Sequence, residues 1–213
     1  MTETFFDASQ RGTIAAAMAR IIPTDEHAGA TEAGCIDFLE RYLSGTGHVY
    51  AKPDGSGFET LHGKREQAWR HRIEVVRRTY LRGVRELDER AQSVARTVFA
   101  DLSPEQQDSV LHDMETGLTS QGAEVRPNLA YGGPVEPALQ QTNAEVDLDF
   151  FSLLVLHTRQ GFYADPIYGG NRDQVGWQLI GFPGPDSLAH VHNGTYSTLE
   201  WFATERAHPR TEA

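Results

Sequence analysis

The sequence predicts an all-α protein, an irregular bundle of five or six helices joined by long loops rich in glycine and proline. Apolar residues recur at helical spacing in several segments, whereas the alternating pattern of a half-buried strand is nearly absent. The 213 residues are 39% hydrophobic and 23% charged, a mixture too apolar for an intrinsically disordered chain. We therefore expect one helical domain over residues 1–185, followed by a C-terminal tail over residues 186–213.

Two helices are predicted near the N-terminus. Apolar residues at i, i+3, i+4 and i+7 indicate a helix over about residues 8–22. These apolar residues are Ile14, Ala17, Met18 and Ile21. A second helix is predicted over about residues 32–44, with Thr31 as its N-cap. The glycines of residues 44–63 then indicate a loop or a small hairpin.

The next two helices have the strongest sequence signals. Over about residues 64–90, apolar residues spaced by three and four form one seam, and most of the arginines, Arg72 among them, face elsewhere. The seam consists of Trp69, Ile73, Val76, Tyr80, Val84 and Leu87. A helix over about residues 104–117 follows, because Ser103 and Gln106 match a capping box around a proline at the first helical position.

A long loop and a fifth helix complete the predicted bundle. Residues 119–141 carry several glycines and prolines with little periodicity, which indicates a loop. A helix is predicted over about residues 143–160, with Thr142 and Glu145 as a second capping box. Gly161 is well placed to end this helix as its C′ residue.

Composition excludes several kinds of partner and prosthetic group. The 19 Lys and Arg residues against 30 Asp and Glu give a net charge of −11, which disfavours nucleic acid as a partner. Cys35 is the one cysteine, so this chain alone cannot form a disulfide, a Cys-only zinc site, an iron–sulfur centre or a c-type haem attachment. Cys35 falls near a helix start, where it is either a reactive thiol or, as we favour, a buried structural residue.

The N-terminal sequence and the lengths of the apolar runs indicate where in the cell the protein is expected. No stretch approaches the roughly 20 apolar residues that span a bilayer. Neither a secretory nor a twin-arginine signal is visible near the N-terminus. We therefore expect no direct membrane span and a cytoplasmic location. A periplasmic location is the alternative if the N-terminus is truncated or the chain is exported by another route.

The standard catalytic motifs are absent from the sequence. The glycine pairs near residue 50 lack the third glycine and the preceding strand of a dinucleotide site, and no P-loop or nucleophile elbow occurs. His190 and His192 could point the same way from an extended segment, and His27 follows two acidic residues. His157 falls on the core-facing side of its helix, which favours a hydrogen-bonded core histidine or an interface residue over a metal ligand. We assign no metal, no cofactor site and no catalytic residue to this chain.

Residues 161–185 differ in kind from the other loops. They hold five aromatic residues, six glycines and three prolines in 25 positions, which is typical of an ordered loop with aromatic anchors. Aromatic residues with Arg and Asn on a rigid surface have the composition of a protein–protein hot spot. A loop that covers the core of its own bundle would have the same composition, so both interpretations stay open.

These residues also carry a family resemblance. Residues 161–184, with Ile21-Ile-Pro-Thr-Asp25 and Glu32-Ala-Gly-Cys-Ile-Asp-Phe38, resemble the gluconate 2-dehydrogenase subunit 3 family. The resemblance implies a helical, non-catalytic small subunit that binds and stabilises a large FAD-bearing subunit of the glucose–methanol–choline type. The complex would oxidise a sugar, a sugar acid or a glycoside, with FAD in the partner subunit and a cytochrome c subunit as a further candidate partner.

The resemblance also implies site residues and leaves alternatives open. It gives a docking or structural role, and no catalytic role, to matching positions in residues 161–184. These positions are Tyr163, Asp165, Tyr168, Asn171, Arg172 and Trp177. A maturation chaperone for the flavoprotein is one alternative function. An independent metal-dependent enzyme that uses His190 and His192 is another.

Overall fold

Seven helices make up most of residues 4–120 and 145–199, the parts of the chain that the computed structural model describes. Within these residues no strand or sheet forms, and an isolated antiparallel bridge joins Ala51 and Phe58. The all-α prediction is therefore confirmed. The helices are α1 Ala8–Ile21, α2 Cys35–Ser44, α3 Gly63–Ala95, α4 Pro104–Ser120, α5 Phe150–Tyr163, α6 Val175–Leu179 and α7 Leu188–His192.

Helix α1 begins at a complete capping box. The Asp7 carboxylate accepts from the Gln10 backbone N–H at 2.9 Å, and the Gln10 side chain accepts from the Asp7 backbone N–H at 3.1 Å. The helix buries Ile14, Ala17 and Met18, the face that the sequence predicts. The prediction of a helix near residues 8–22 is confirmed.

Helix α2 starts three residues later than predicted, and Thr31 is not its N-cap. The N-cap is Gly34, whose φ of 70° lies in the left-handed region, and no side chain caps the helix. The residues before it form turns instead, in which the Cys35 N–H donates to the Ala30 carbonyl at 3.0 Å. A small hairpin follows within residues 44–63, as predicted, and the Glu59 N–H donates to the Tyr50 carbonyl at 2.8 Å.

Helix α3 is the longest described helix, at 33 residues. Five residues of the predicted seam are buried, and the sixth, Trp69, is half-buried. The expectation for Arg72 is wrong, because its side chain is buried on the inner side of the helix. Arg96 caps the C-terminus of the helix; it adopts a φ of 57° and donates its N–H to the Gln92 carbonyl.

Helix α4 begins as predicted. The Gln106 N–H donates to Ser103 Oγ at 3.3 Å, and the Gln106 side chain accepts from the Ser103 N–H at 3.0 Å. The helix continues to Ser120, so the first two residues of the predicted loop 119–141 are helical. The rest of that predicted loop lies outside the described residues.

The boundaries predicted for the fifth helix are wrong at both ends. Helix α5 begins at Phe150, because Asp149 caps it and accepts from the Ser152 N–H at 2.9 Å. Glu145 lies in a turn before the helix, and its carboxylate is directed into the core; Thr142 lies outside the described residues. Gly161 is inside the helix rather than at C′. A Cβ there would stand 3.0 Å from the Cys35 Cα atom, so Gly161 permits close packing of α5 on α2.

The core lies where α1, α2, α3 and α5 pack together. Tyr80, Leu153 and Phe162 are among its largest fully buried side chains. Beyond α6, the described part of the tail folds back on the hairpin, since a Cβ on Gly55 would stand 3.0 Å from Ser187 Oγ. Across the described residues, every helix is too short or too polar to cross a membrane.

Candidate partner-docking site

A buried ion pair joins α3 to the turn before α5. Arg72 donates from Nε to Glu145 at 2.9 Å, and its Nη2 lies 2.8 Å from the other carboxylate oxygen. The Tyr42 hydroxyl, on α2, donates to the same carboxylate at 2.7 Å. Burial by itself raises the pKa of Glu145, but His157 and Arg72 outweigh it and hold that pKa well below its usual range. The pair therefore fixes the turn at residue 145 to two helices.

His157 extends this polar cluster into the centre of the core. Its ring is fully buried, with Nδ1 2.9 Å from the Tyr80 hydroxyl and Nε2 3.8 Å from a Glu145 oxygen. The second distance is too long for a hydrogen bond, and Nε2 has no hydrogen-bond partner among the described residues. The prediction of a hydrogen-bonded core histidine is confirmed. Since these groups are shut off from solvent, they stabilise the fold rather than meet a substrate.

Cys35 is buried, as favoured from the sequence. It is the first residue of α2, and its Sγ lies 3.4 Å from the Thr158 carbonyl oxygen. Burial raises the pKa of the Cys35 thiol to about 12. The thiol is therefore protonated at neutral pH and is not a nucleophile in the folded chain.

The two histidine clusters do not form a metal site among the described residues. His190 and His192 lie on the short helix α7 and not on an extended segment, so residues two apart point to different sides. The expected shared direction of the pair is therefore wrong. His27 Nδ1 stands 3.6 Å from Asp25 on an exposed loop. Within the residues that the structure describes, no group of three or more possible ligands comes together.

Asn171 organises the segment of residues 161–184. It is fully buried and adopts a left-handed φ of 46°, a conformation that asparagine tolerates better than most residues. Its amide donates to the Ala164 carbonyl at 2.9 Å, and its Oδ1 accepts from the Gly176 N–H at 2.9 Å. Its backbone N–H donates to the Gly161 carbonyl at 2.6 Å. Asn171 thus joins the end of α5 to the start of α6.

The Trp177 side chain packs on the inner side of the second half of the segment. The indole is buried, and its Nε1 donates to the Tyr163 carbonyl at 2.8 Å. The ring packs edge to face on Phe182, with centroids 5.2 Å apart. Gly184 is required beside it, because a Cβ there would stand 2.2 Å from the indole. Trp177 therefore has a structural role in this chain.

Asp165 and Tyr168 fix the first turn of the segment to the hairpin. Asp165 caps a short 3₁₀ helix, Pro166–Tyr168, by accepting from the Ile167 N–H at 2.9 Å. The half-buried Tyr168 ring packs on Phe58, and its hydroxyl accepts from the Ala51 N–H at 3.2 Å.

Arg172 ties the segment to the helical bundle. It is exposed, and its guanidinium lies 2.6 Å from the Asp37 carboxylate on α2. Asp37 also pairs with Arg11 of α1 at 2.7 Å. One carboxylate thus connects two helices and the aromatic segment.

The outer surface of this segment is partly apolar. Tyr163, Leu179 and Ile180 expose 39%, 43% and 50% of their surface. Of the three, Tyr163 alone is predicted from the sequence as a site residue. The apolar pair that directly follows the Gly-Trp-Gln of α6 is the signal that could have indicated the other two. The segment is therefore held in place by hydrogen bonds from buried side chains, and it carries exposed apolar side chains on its outer surface.

Exposed apolar side chains on an ordered segment of a helical bundle are typical of surfaces that bind other proteins. Comparison with protein families identifies the family. The chain belongs to the gluconate 2-dehydrogenase subunit 3 family, which matches residues 8–184. The family assignment made from residues 161–184 and the two N-terminal motifs is confirmed. Comparisons with curated proteins and with solved structures found no significant match.

Proposed function

We propose that this chain is the small, non-catalytic subunit of a dehydrogenase complex and that it binds a large FAD-bearing subunit. The partner is of the glucose–methanol–choline type and oxidises a sugar, a sugar acid or a glycoside. Membership of a dehydrogenase subunit family supports the complex. The identity of the partner and its FAD rests on the family resemblance.

One observation carries the choice of contact surface. Tyr163, Leu179 and Ile180 are large, apolar and exposed, yet they lie on a segment held by hydrogen bonds from two buried side chains. Apolar and aromatic side chains on a rigid support favour protein association, because their burial removes apolar area from water. This surface lies within the residues that match the family.

The six residues that the resemblance singles out divide into three groups in this proposal. Asn171 and Trp177 are buried, so they shape the surface from beneath. Tyr163 and Arg172 are exposed and are the proposed direct contacts. Asp165 and Tyr168 are half-buried at the margin of the surface. We assign them two roles, which are to shape the surface and to contact the partner.

The test co-expresses the full chain with the large flavoprotein subunit that this proposal requires. Leu179→Asp introduces a charge into the proposed contact, and we expect the dissociation constant of the complex to rise at least tenfold. Val191→Asp is the matched control, because Val191 is 44% exposed against 43% for Leu179 but lies outside the family match. Circular dichroism of both variants checks that the fold is unchanged.

The outcomes separate the candidate functions. Equal affinity of both variants would reject this contact surface, and a stable chain that never binds the flavoprotein would reject the function itself. A chain that is required for an active flavoprotein but is missing from the mature enzyme would identify a maturation chaperone instead.

A further inference from the structure

Helix α3 is a basic element in an acidic protein. It holds nine of the 19 Lys and Arg residues but five of the 30 Asp and Glu residues, so its formal charge is +4 in a chain of −11. Arg78, Arg82 and Arg85 are exposed and follow one another at spacings of four and three. They therefore form one face of α3, directed away from its buried seam. We refer to these three residues as the arginine face.

The charge of the arginine face is not neutralised within the described part of the chain. Other arginines of α3 pair with the glutamate four residues before them, at 2.5 Å for Arg70 with Glu66 and 2.8 Å for Arg90 with Glu86. No such ion pair with a described residue forms at the arginine face. Three guanidinium groups therefore present their donors to the solvent.

The surface around this face has further properties of a contact region. An open depression of about 570 Å³ adjoins this face; three arginines, two glutamates and a serine line it, namely Arg82, Arg85, Arg90, Glu86, Glu89 and Ser93. Val94, in the last turn of α3, and Val98, three residues beyond the helix, are exposed apolar residues. Arginine is enriched at protein interfaces, and exposed apolar side chains beside it add area that favours association.

A complementary surface exists on the neighbouring helix. Helix α4 carries four carboxylates and neither Lys nor Arg, and it packs against α3. Glu105, Asp108 and Glu115 are exposed at helical spacing on its outer face. Asp108 pairs with Arg20 at 2.7 Å, whereas neither glutamate pairs with an arginine or lysine among the described residues. We refer to these three residues as the acidic face.

We infer that the arginine face binds the acidic face of a second copy of this chain. A two-fold symmetric contact uses the same surface on both copies, so a basic helix beside an acidic one can complement itself. The net charge of −11 opposes association at long range, but at 0.15 M salt charges are screened beyond about 8 Å. Ion pairs across the contact are shorter than this distance. The inference does not depend on the flavoprotein partner.

Sedimentation equilibrium of the purified full chain tests this inference. We expect the wild type to form dimers, and R78Q/R82Q/R85Q to raise the dimer dissociation constant at least tenfold. A wild type that stays monomeric at concentrations up to about 1 mM would overturn the inference. If the same triple variant then lost affinity for the flavoprotein, the arginine face would belong to that contact.

The matched control lies at the other end of the same helix. K64Q/R65Q/R70Q removes three exposed cationic side chains and changes the net charge equally. We expect its dimer dissociation constant to stay within about twofold of the wild type. Equal effects of the two triple variants would show that total charge alone governs association, which would also overturn the inference.

Charge reversal on both sides gives the sharpest readout. We expect two charge-reversed variants, R78E/R82E/R85E and E105R/E115R, to form homodimers poorly. When the two are mixed, we expect them to form a heterodimer far better than either forms a homodimer. Such rescue requires that the two faces meet, since a general loss of stability would not be repaired by mixing. The absence of a heterodimer would count against the pairing of these two faces.

Discussion

Removal of the Glu145 carboxylate is expected to be one of the most damaging single changes in this chain. Glu145 accepts from Tyr42 at 2.7 Å and from Arg72 at 2.9 Å, and both members of the ion pair are buried. Glu145→Ala leaves the buried Arg72 charge without the carboxylate that neutralises it. Breaking a buried pair in this way costs about 3–5 kcal/mol. We expect the free energy of unfolding to fall by that amount.

A double variant distinguishes two contributions to the free energy of unfolding: the contribution of the ion pair itself, and the cost of a buried arginine whose carboxylate has been removed. R72M/E145L replaces the pair by apolar side chains, a change that is often neutral or stabilising elsewhere. We therefore expect the double variant to be more stable than Glu145→Ala. Urea unfolding followed by circular dichroism measures both.

The same residue sets a pH dependence. In the folded chain the pKa of Glu145 is held below its usual range, so the unfolded chain binds a proton more readily at acidic pH. The stabilisation is present above an unfolded pKa of about 4.3 and is lost as the pH falls towards the folded pKa. The stability difference between the wild type and Glu145→Ala should therefore shrink below about pH 4. A loss under about 1 kcal/mol at pH 7, or a difference that grows in acid, would refute the reasoning.

Three further predictions concern buried positions. Trp177→Ala should lower the stability of the isolated chain by about 3–5 kcal/mol in urea unfolding, because the indole is core; an unchanged midpoint would contradict this. Gly83→Ala should cost about 1–3 kcal/mol by the same assay, since the added Cβ would stand 2.1 Å from the Phe150 ring; Gly12→Ala is the control, because a Cβ there would meet no atom within 4 Å. Cys35 should react with a thiol reagent at pH 8 only after unfolding, because burial raises its pKa to about 12; rapid labelling of the native chain would disprove it.

The parts of the fold that depend on local sequence could be predicted. The capping box at Ser103 and the apolar face of α1 involve residues within a few positions of one another, so the sequence contains the whole signal. The start of α5 was misplaced because two capping patterns compete there. Asp149 is the cap that forms, while Glu145 is drawn into the core.

The partner of Glu145 shows why the rest could not be predicted. Arg72 is 73 positions away and is one of many arginines on α3, with no local feature that distinguishes it. The burial of Trp177 could not be predicted for the same reason. The amino-acid composition of residues 161–185 fits both a protein–protein hot spot and a loop that covers the core of its own bundle. Only the packing of distant segments decides which face of such a residue meets water.

The hydrogen bonds and the ion pair that hold residues 161–184 in place affect the kinetics of assembly. Asn171, Trp177 and Arg172 hold the backbone in one shape through contacts within this chain alone. A preorganised surface loses little conformational entropy when a partner arrives, so less of the gross interaction energy is consumed by ordering. Recognition at this segment should resemble rigid docking, with an association rate set by encounter and not by a folding step.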